Sequence, residues 1–118
     1  MGVNMKLQIS FDLTDLDKAI EIATQVIDQC DTLEIGTILL YKYGLEAVKR
    51  FRSSFEKKTL LVDTKLIDCS ESIIACMADA GADWITVMAG SDKNAIHAMC
   101  KEAHKHNLKV MLDLSDAS

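Results

Sequence analysis

The chain is short of most features that would send it to a membrane, a nucleic acid or an oxidising compartment. No apolar run approaches the 18 or so residues of a membrane span, and the N-terminus has no signal-peptide apolar core. Met1-Gly2 is followed by Lys6 where a myristoylation signal requires Ser or Thr. Positive charge is not in excess. With 13 basic and 18 acidic residues the net charge is -5, which argues against nucleic acid or an anionic membrane as the main partner. It leaves a phosphorylated small molecule open, because local charge at a site outweighs the total. The four cysteines (Cys30, Cys69, Cys76, Cys100) form no Cys-x-x-Cys pair, and three fall in helical patterns at positions suited to burial. They are expected to be small apolar residues in a reducing compartment, not a disulfide framework or a zinc site. Proline is absent, which carries no functional message. The cytoplasm is the expected location.

What is present is a well-mixed composition. Of the 118 residues 49% are hydrophobic and 26% charged, with no low-complexity tract. That suits a single domain over residues 1–118 with a real core, not a disordered chain.

Short apolar runs alternate with longer helical patterns. Strands are predicted over 7–12, 32–35, 60–65, 84–87 and 110–114, with starts 25, 28, 24 and 26 residues apart. Four helices are predicted between them. The first covers 16–29 behind Thr14 or Asp15 as N-cap, with Ala19, Ile20, Ala23, Val26 and Ile27 inward. The second covers 45–55. The third follows Ser70 as N-cap, carries Ile73, Ile74, Met77 and Ala78 inward, and ends at Gly81. The fourth follows Ser91 and ends near His106-Asn107, with Ile96, Met99, Cys100 and Ala103 inward. Four βα units plus a fifth strand make an α/β chain with a parallel sheet. They amount to a little over half of a closed (β/α)₈ barrel, and truncation is the expected account of the length.

In such folds chemistry gathers at the C-terminal ends of the strands. There the sequence places Asp12, Glu34, Asp63, Lys65, Thr86 and Asp113, with Asp68 on the rim. Asp63 and Lys65 are two apart and point to one side of the sheet, where they can pair. Glu34 and Asp63, on neighbouring strands, can share a hard cation such as Mg²⁺. Lys65 can then stabilise a developing oxyanion while a loop carboxylate moves a proton. Acidic residues at strand ends also cap helices, and for Asp15 and Asp92 the cap is the favoured reading. Asp113 is undecided between the two. For Asp12, Glu34, Asp63 and Lys65 together a site is favoured, because four such groups converge on one end of the sheet. His97, His104 and His106 fall on the fourth helix, away from that end, and are expected to face solvent.

The segment Asp63-Thr64-Lys65-Leu66-Ile67-Asp68 reads D-x-K-x-x-D at the end of a third strand. This pattern resembles the signature of the orotidine 5′-monophosphate decarboxylase suprafamily of barrels. Leu7-Gln8-Ile9-Ser10-Phe11-Asp12, Leu33-Glu34-Ile35-Gly36-Thr37 and Ala80-Gly81-Ala82-Asp83-Trp84-Ile85-Thr86-Val87 resemble, in order, the first, second and fourth strands of 3-hexulose-6-phosphate synthases and 3-keto-L-gulonate-6-phosphate decarboxylases. The resemblance covers nearly the whole chain and implies the N-terminal half of a TIM barrel. It also implies roles: Asp12 contacting a sugar-phosphate substrate, Glu34 and Asp63 holding Mg²⁺, and Lys65 and Asp68 stabilising an enediolate and managing its protons. The family's enzymes are homodimers in which the aspartate matching Asp68 reaches into the partner's site.

Synthases join formaldehyde to ribulose 5-phosphate through an enediolate; the decarboxylases reach a similar enediolate by losing CO₂. Val110-Met111-Leu112-Asp113-Leu114 and Gly90-Ser91-Asp92 are closer to the synthase, and Ala82-Asp83-Trp84 and Gly36-Thr37-Ile38-Leu39 to the decarboxylase; the synthase is preferred. Cys69-Ser70 stand where the family has a small residue and then glycine. The family's phosphate-gripping loops follow strands 7 and 8, so weak turnover or none is expected of these 118 residues. Two readings compete. One is a catalytically silent half-barrel. The other is a phosphoacceptor receiver domain with Asp63 as acceptor and Thr86 beside it, although Asp12 has no adjacent acidic partner and Leu114-Ser115 stand where its lysine belongs.

Overall fold

A computed structural model of the chain describes residues 4–68 and 71–118. In order these form β1 (Gln8–Phe11), α1 (Leu16–Val26), β2 (Thr32–Ile35), α2 (Thr37–Tyr43), α3 (Leu45–Ser54), β3 (Thr59–Leu66), α4 (Glu71–Ala80), β4 (Trp84–Met88), α5 (Lys93–Lys105) and β5 (Lys109–Asp113). A tight 3₁₀ turn over Ile27–Gln29 completes the segment predicted as the end of the first helix.

All strand pairs are parallel, and the order is β1-β2-β3-β4-β5. This order decides between two architectures of similar length. A receiver domain places its first strand between the second and third, in the order 2-1-3-4-5. Here β1 is an edge strand, so the receiver reading is overturned. Sequential order is that of a barrel wall.

Local signals set the helix ends. The Asp15 carboxylate accepts the Lys18 N–H at 3.1 Å and starts α1, and Asp92 accepts from Asn94 and Ala95 at 2.9 and 3.3 Å and starts α5. Both are the caps expected. Gly81 (φ 113°) ends α4 in a left-handed turn that lets Ala82 N–H reach the Met77 carbonyl at 3.0 Å. Cys69 and Ser70, with the predicted cap at Ser70, lie outside the described residues.

One helix was not predicted. Residues 37–43, read as connection, form α2. Seven residues are too few for a helical period to stand out, and its start carries no capping side chain. Gly44, at φ 61° and ψ −141°, separates α2 from α3. Two burial expectations also fail. Cys76 is exposed where a buried position was expected, while Cys30 is buried and Cys100 half-buried. Ile73 is exposed as well, because the inward stripe of α4 runs through Ile74, Met77 and Ala80.

The core lies between the helices and one face of the sheet. Phe11, Leu33, Ile35, Leu60, Val62, Ile85 and Val87 alternate along their strands and pack against Leu16, Ala23, Val48, Phe51, Ile74 and Met99. Burying each of the larger ones contributes about 1.5–3 kcal/mol. The strand residues between them, including Gln8, Thr32, Glu34, Thr59, Asp63 and Lys109, line the opposite, helix-free face. The flanks of β1 and β5 expose Leu7, Leu112 and Leu114, as expected for an open sheet.

At the N-terminal end of the sheet Arg52 ties four segments together. Its guanidinium donates to the carbonyls of Gly81 (2.8 Å), Phe55 (3.3 Å), Glu56 (3.0 Å) and Lys58 (2.8 Å) and pairs with Asp83 at 2.6 Å. The Asp83 carboxylate also accepts the Leu60 N–H at 2.9 Å. Gly81 is required twice over, because a Cβ there would lie 2.5 Å from the Arg52 side chain.

Candidate active site

Parallel pairing carries the strand-end residues to one end of the helix-free face. Glu34 pairs in register with Leu61, so Asp63, two residues further on, lies beside and beyond it on the same face. Asp113 pairs with Met88 on the far side of β4. Glu34, Leu61, Asp63, Thr86, Met111, Leu112 and Asp113 enclose a pocket of about 250 Å³.

Lys65 is held by two carboxylates. Its ammonium lies 2.5 Å from Asp113 and 3.5 Å from Asp63. The hydrogen bond to Asp113 raises the Lys65 pKa above its ordinary value. It outweighs partial burial, and the negative charge of Asp63 and Asp113 adds to it. The same bond holds the Asp113 carboxyl well below the usual carboxylate range, helped by the Ser115 N–H at 2.9 Å. Lys65 therefore carries its charge throughout the neutral range. It can stabilise an anion or deliver a proton, but it is poorly suited to removing one.

The backbone places this ammonium in an unexpected way. Simple alternation put Asp63 and Lys65 on one side. In the structure the β3–β4 register slips between Val62 and Leu66, and Lys65 adopts φ 48°. The pair still forms, through this irregularity.

Asp12 follows β1. Its carboxylate and that of Glu34 lie on either side of the Ser10 hydroxyl, at 3.2 and 3.1 Å, and Glu34 also accepts from the Gln8 amide at 2.8 Å. Asp12 lies so close to the start of α2 that a Cβ at Gly36 would fall 1.7 Å from its Oδ1. Glycine is needed there for space, since its φ of −68° is ordinary.

Asp68 takes a different position. It is exposed just past β3, at a second groove of about 540 Å³ shared with Lys65, Tyr41, Leu45, Ile73 and Met77. Among the described residues the fold gathers Glu34, Asp63, Lys65 and Asp113, sets Asp12 beside them through Ser10, and leaves Asp68 on the outer side of Lys65. Reading the residues alone left Asp113 undecided and passed over Ser10. The alternation of Gln8-Ile9-Ser10-Phe11, with polar residues on one face, was the available signal for Ser10.

The donor set suits a hard divalent cation. Two carboxylates, Asp63 and Asp113, hold the Lys65 ammonium, and the two on adjacent strands, Glu34 and Asp63, offer oxygen ligands without thiol or imidazole. Among the described residues no three such donors converge to chelate a metal by themselves. Mg²⁺ takes one or two carboxylates and fills its other positions with water and substrate oxygens; Glu34 and Asp63 are the side chains that could hold one. His97 and His104 are exposed, and His106 pairs with Glu102 at 3.4 Å on α5. No helix among the described residues is long and apolar enough to cross a membrane.

Comparison with known proteins gives a consistent result. Over 110 residues the chain is 36% identical to a 3-hexulose-6-phosphate synthase of Staphylococcus aureus (strain USA300), covering 93% of this chain and 52% of that protein. A crystal structure of 3-hexulose-6-phosphate synthase from Salmonella typhimurium superposes with a TM-score of 0.91 at 30% identity, over 97% of this chain and 54% of that one. For 3-keto-L-gulonate-6-phosphate decarboxylase from Vibrio cholerae the TM-score is 0.86 at 34% identity, over 91% and 50%. The chain thus spans about half the length of the relatives it matches, as half of a TIM barrel does. Residues 5–116 match the orotidine 5′-phosphate decarboxylase / HUMPS family, and the chain belongs to it.

Proposed function

We propose that the chain carries the enediolate-handling part of a carbon–carbon lyase of the 3-hexulose-6-phosphate synthase type, working on a sugar phosphate in the cytoplasm. The observation that carries this reading is the Lys65 ammonium, fixed between Asp63 and Asp113, which line one pocket together with Glu34.

In this reading Asp12 orients the hydroxyls of ribulose 5-phosphate. A carboxylate takes the C1 proton, and the Lys65 ammonium stabilises the oxygen charge that develops. The C1 carbon then adds to the carbonyl carbon of formaldehyde, and the alkoxide formed there takes up a proton. Glu34 and Asp63 would hold Mg²⁺, which when bound supplies Lewis-acid stabilisation of neighbouring oxygens. Asp68 would act across the interface of a homodimer. The exposed apolar groove beside it, with Tyr41 86% and Ile67 66% exposed, supports such an interface.

A second reading, decarboxylation of a keto-sugar phosphate, uses the same residues. It is supported by equal identity, 34%, to solved structures of the synthase and of the decarboxylase.

The test is proton exchange at C1 of ribulose 5-phosphate with Mg²⁺ in D₂O, followed by NMR. Slow exchange is expected from the parent, and a fall of about 100-fold or more in Lys65→Ala. No exchange from the parent would show that these 118 residues do not perform the step.

A further inference from the structure

Thr86 is 5% exposed and is the only buried polar residue among the described ones. Its hydroxyl lies 2.7 Å from Asp63 Oδ1 and accepts the backbone N–H of Lys65 at 2.9 Å. A hydroxyl has one proton to give. With the Lys65 N–H on a lone pair, that proton goes to Asp63. The other Asp63 oxygen is then turned toward the Lys65 ammonium. Thr64 mirrors the arrangement, donating to the Thr86 carbonyl at 2.8 Å and accepting its N–H at 3.2 Å. These four bonds occupy the stretch where the β3–β4 register slips and Lys65 takes its left-handed conformation.

We propose that Thr86 is a positioning residue whose single hydroxyl sets the Asp63 carboxylate and the Lys65 backbone together. The inference rests on the reading that Asp63 and Lys65 work in the site. It adds that cation affinity and the enediolate step both depend on a side chain that touches neither substrate nor metal. Partners of ligand side chains commonly change affinity or activity 10- to 100-fold when removed. A hydroxyl that merely fills a core position would have no such reach.

Two near-isosteres separate the cases. Thr86→Val keeps shape and branching and removes the hydroxyl; Thr86→Ser keeps the hydroxyl and loses the methyl. Mg²⁺ affinity by titration calorimetry and C1 exchange are measured on the parent and both variants, with circular dichroism to establish folding. Thr86→Val should weaken Mg²⁺ by about 10-fold or more and slow exchange with a smaller change in KM, while Thr86→Ser stays close to the parent. Parent-like Mg²⁺ binding in Thr86→Val, or an equal loss in Thr86→Ser, overturns the proposal. If the parent itself neither binds Mg²⁺ nor exchanges, the enediolate reading fails. The Lys65 amide then decides the inference: faster hydrogen exchange in Thr86→Val that Thr86→Ser restores supports it, and unchanged exchange overturns it. If Thr86→Val does not fold, Thr86→Cys, with a much weaker donor, replaces it in the same comparisons.

Discussion

Lys65 and Asp113 come from strands separated by β4, and their contact has a pH signature. Asp113 is held below its ordinary value of 3.8 in the folded protein, so its contribution to stability is complete above 3.8 and is lost as pH falls through the lower folded value. Lys65 is held above its ordinary 10.5, so its contribution is complete below 10.5 and is lost as pH rises through the higher folded value. Between these limits the pair's contribution is level. Asp113→Asn should therefore lower the urea midpoint by a constant amount through neutral pH, and the two proteins should converge in strong acid. Unfolding curves from about pH 2 to about pH 8 check this; parallel curves down to the acid end would contradict it. At this scale the candidate residues were legible because charged groups interrupt apolar strands. Asp113 was not, because its partner lies 48 residues away and is aimed by a backbone irregularity that alternation cannot foresee.

Strands and long helices were legible from their periods. β2 falls on its predicted residues, and the ends of the other strands lie within one residue of theirs. α2 was not legible, yet it matters to the site, because the Thr37 hydroxyl at its start bonds the Asp63 carbonyl at 3.0 Å. Arg52 shows the same limit. A basic residue in the last turn of a helix reads as a solvated end, whereas this one joins α3, the turn after it, β3 and the start of β4. Arg52→Ala leaves several carbonyls and Asp83 without their partner and should cost about 2–4 kcal/mol. Since the cluster lies at the end of the sheet away from Lys65, C1 exchange by the folded variant should be unchanged. Denaturant unfolding and the exchange assay together check both halves, and a loss of exchange without a loss of stability would contradict the assignment.

For the whole molecule, periodic βα units predicted a parallel sheet, but not which strand neighbours which. The spatial order then overturned the receiver reading, which the missing acidic partner of Asp12 and Leu114-Ser115 in place of its lysine had already disfavoured. The groove beside Asp68 makes the next claim at this scale. Sedimentation velocity should find a dimer, and Ile67→Glu, which buries a charge if the groove is an interface, should shift it to monomer. A monomeric parent would remove the interface.

The sheet order has a further consequence. Among the described residues each strand pairs only with its neighbours in the sequence, so none of these pairings waits for a distant segment. Residues 12 to 65 hold most of the candidate site and lie on or beside β1, β2 and β3, while Asp63 and Lys65 take their final setting only when β4 brings Thr86. The wall can thus grow one unit at a time from the N-terminus, as a repeat array does. Asp113 would arrive last, closing its contact with Lys65 only when the fifth strand docks.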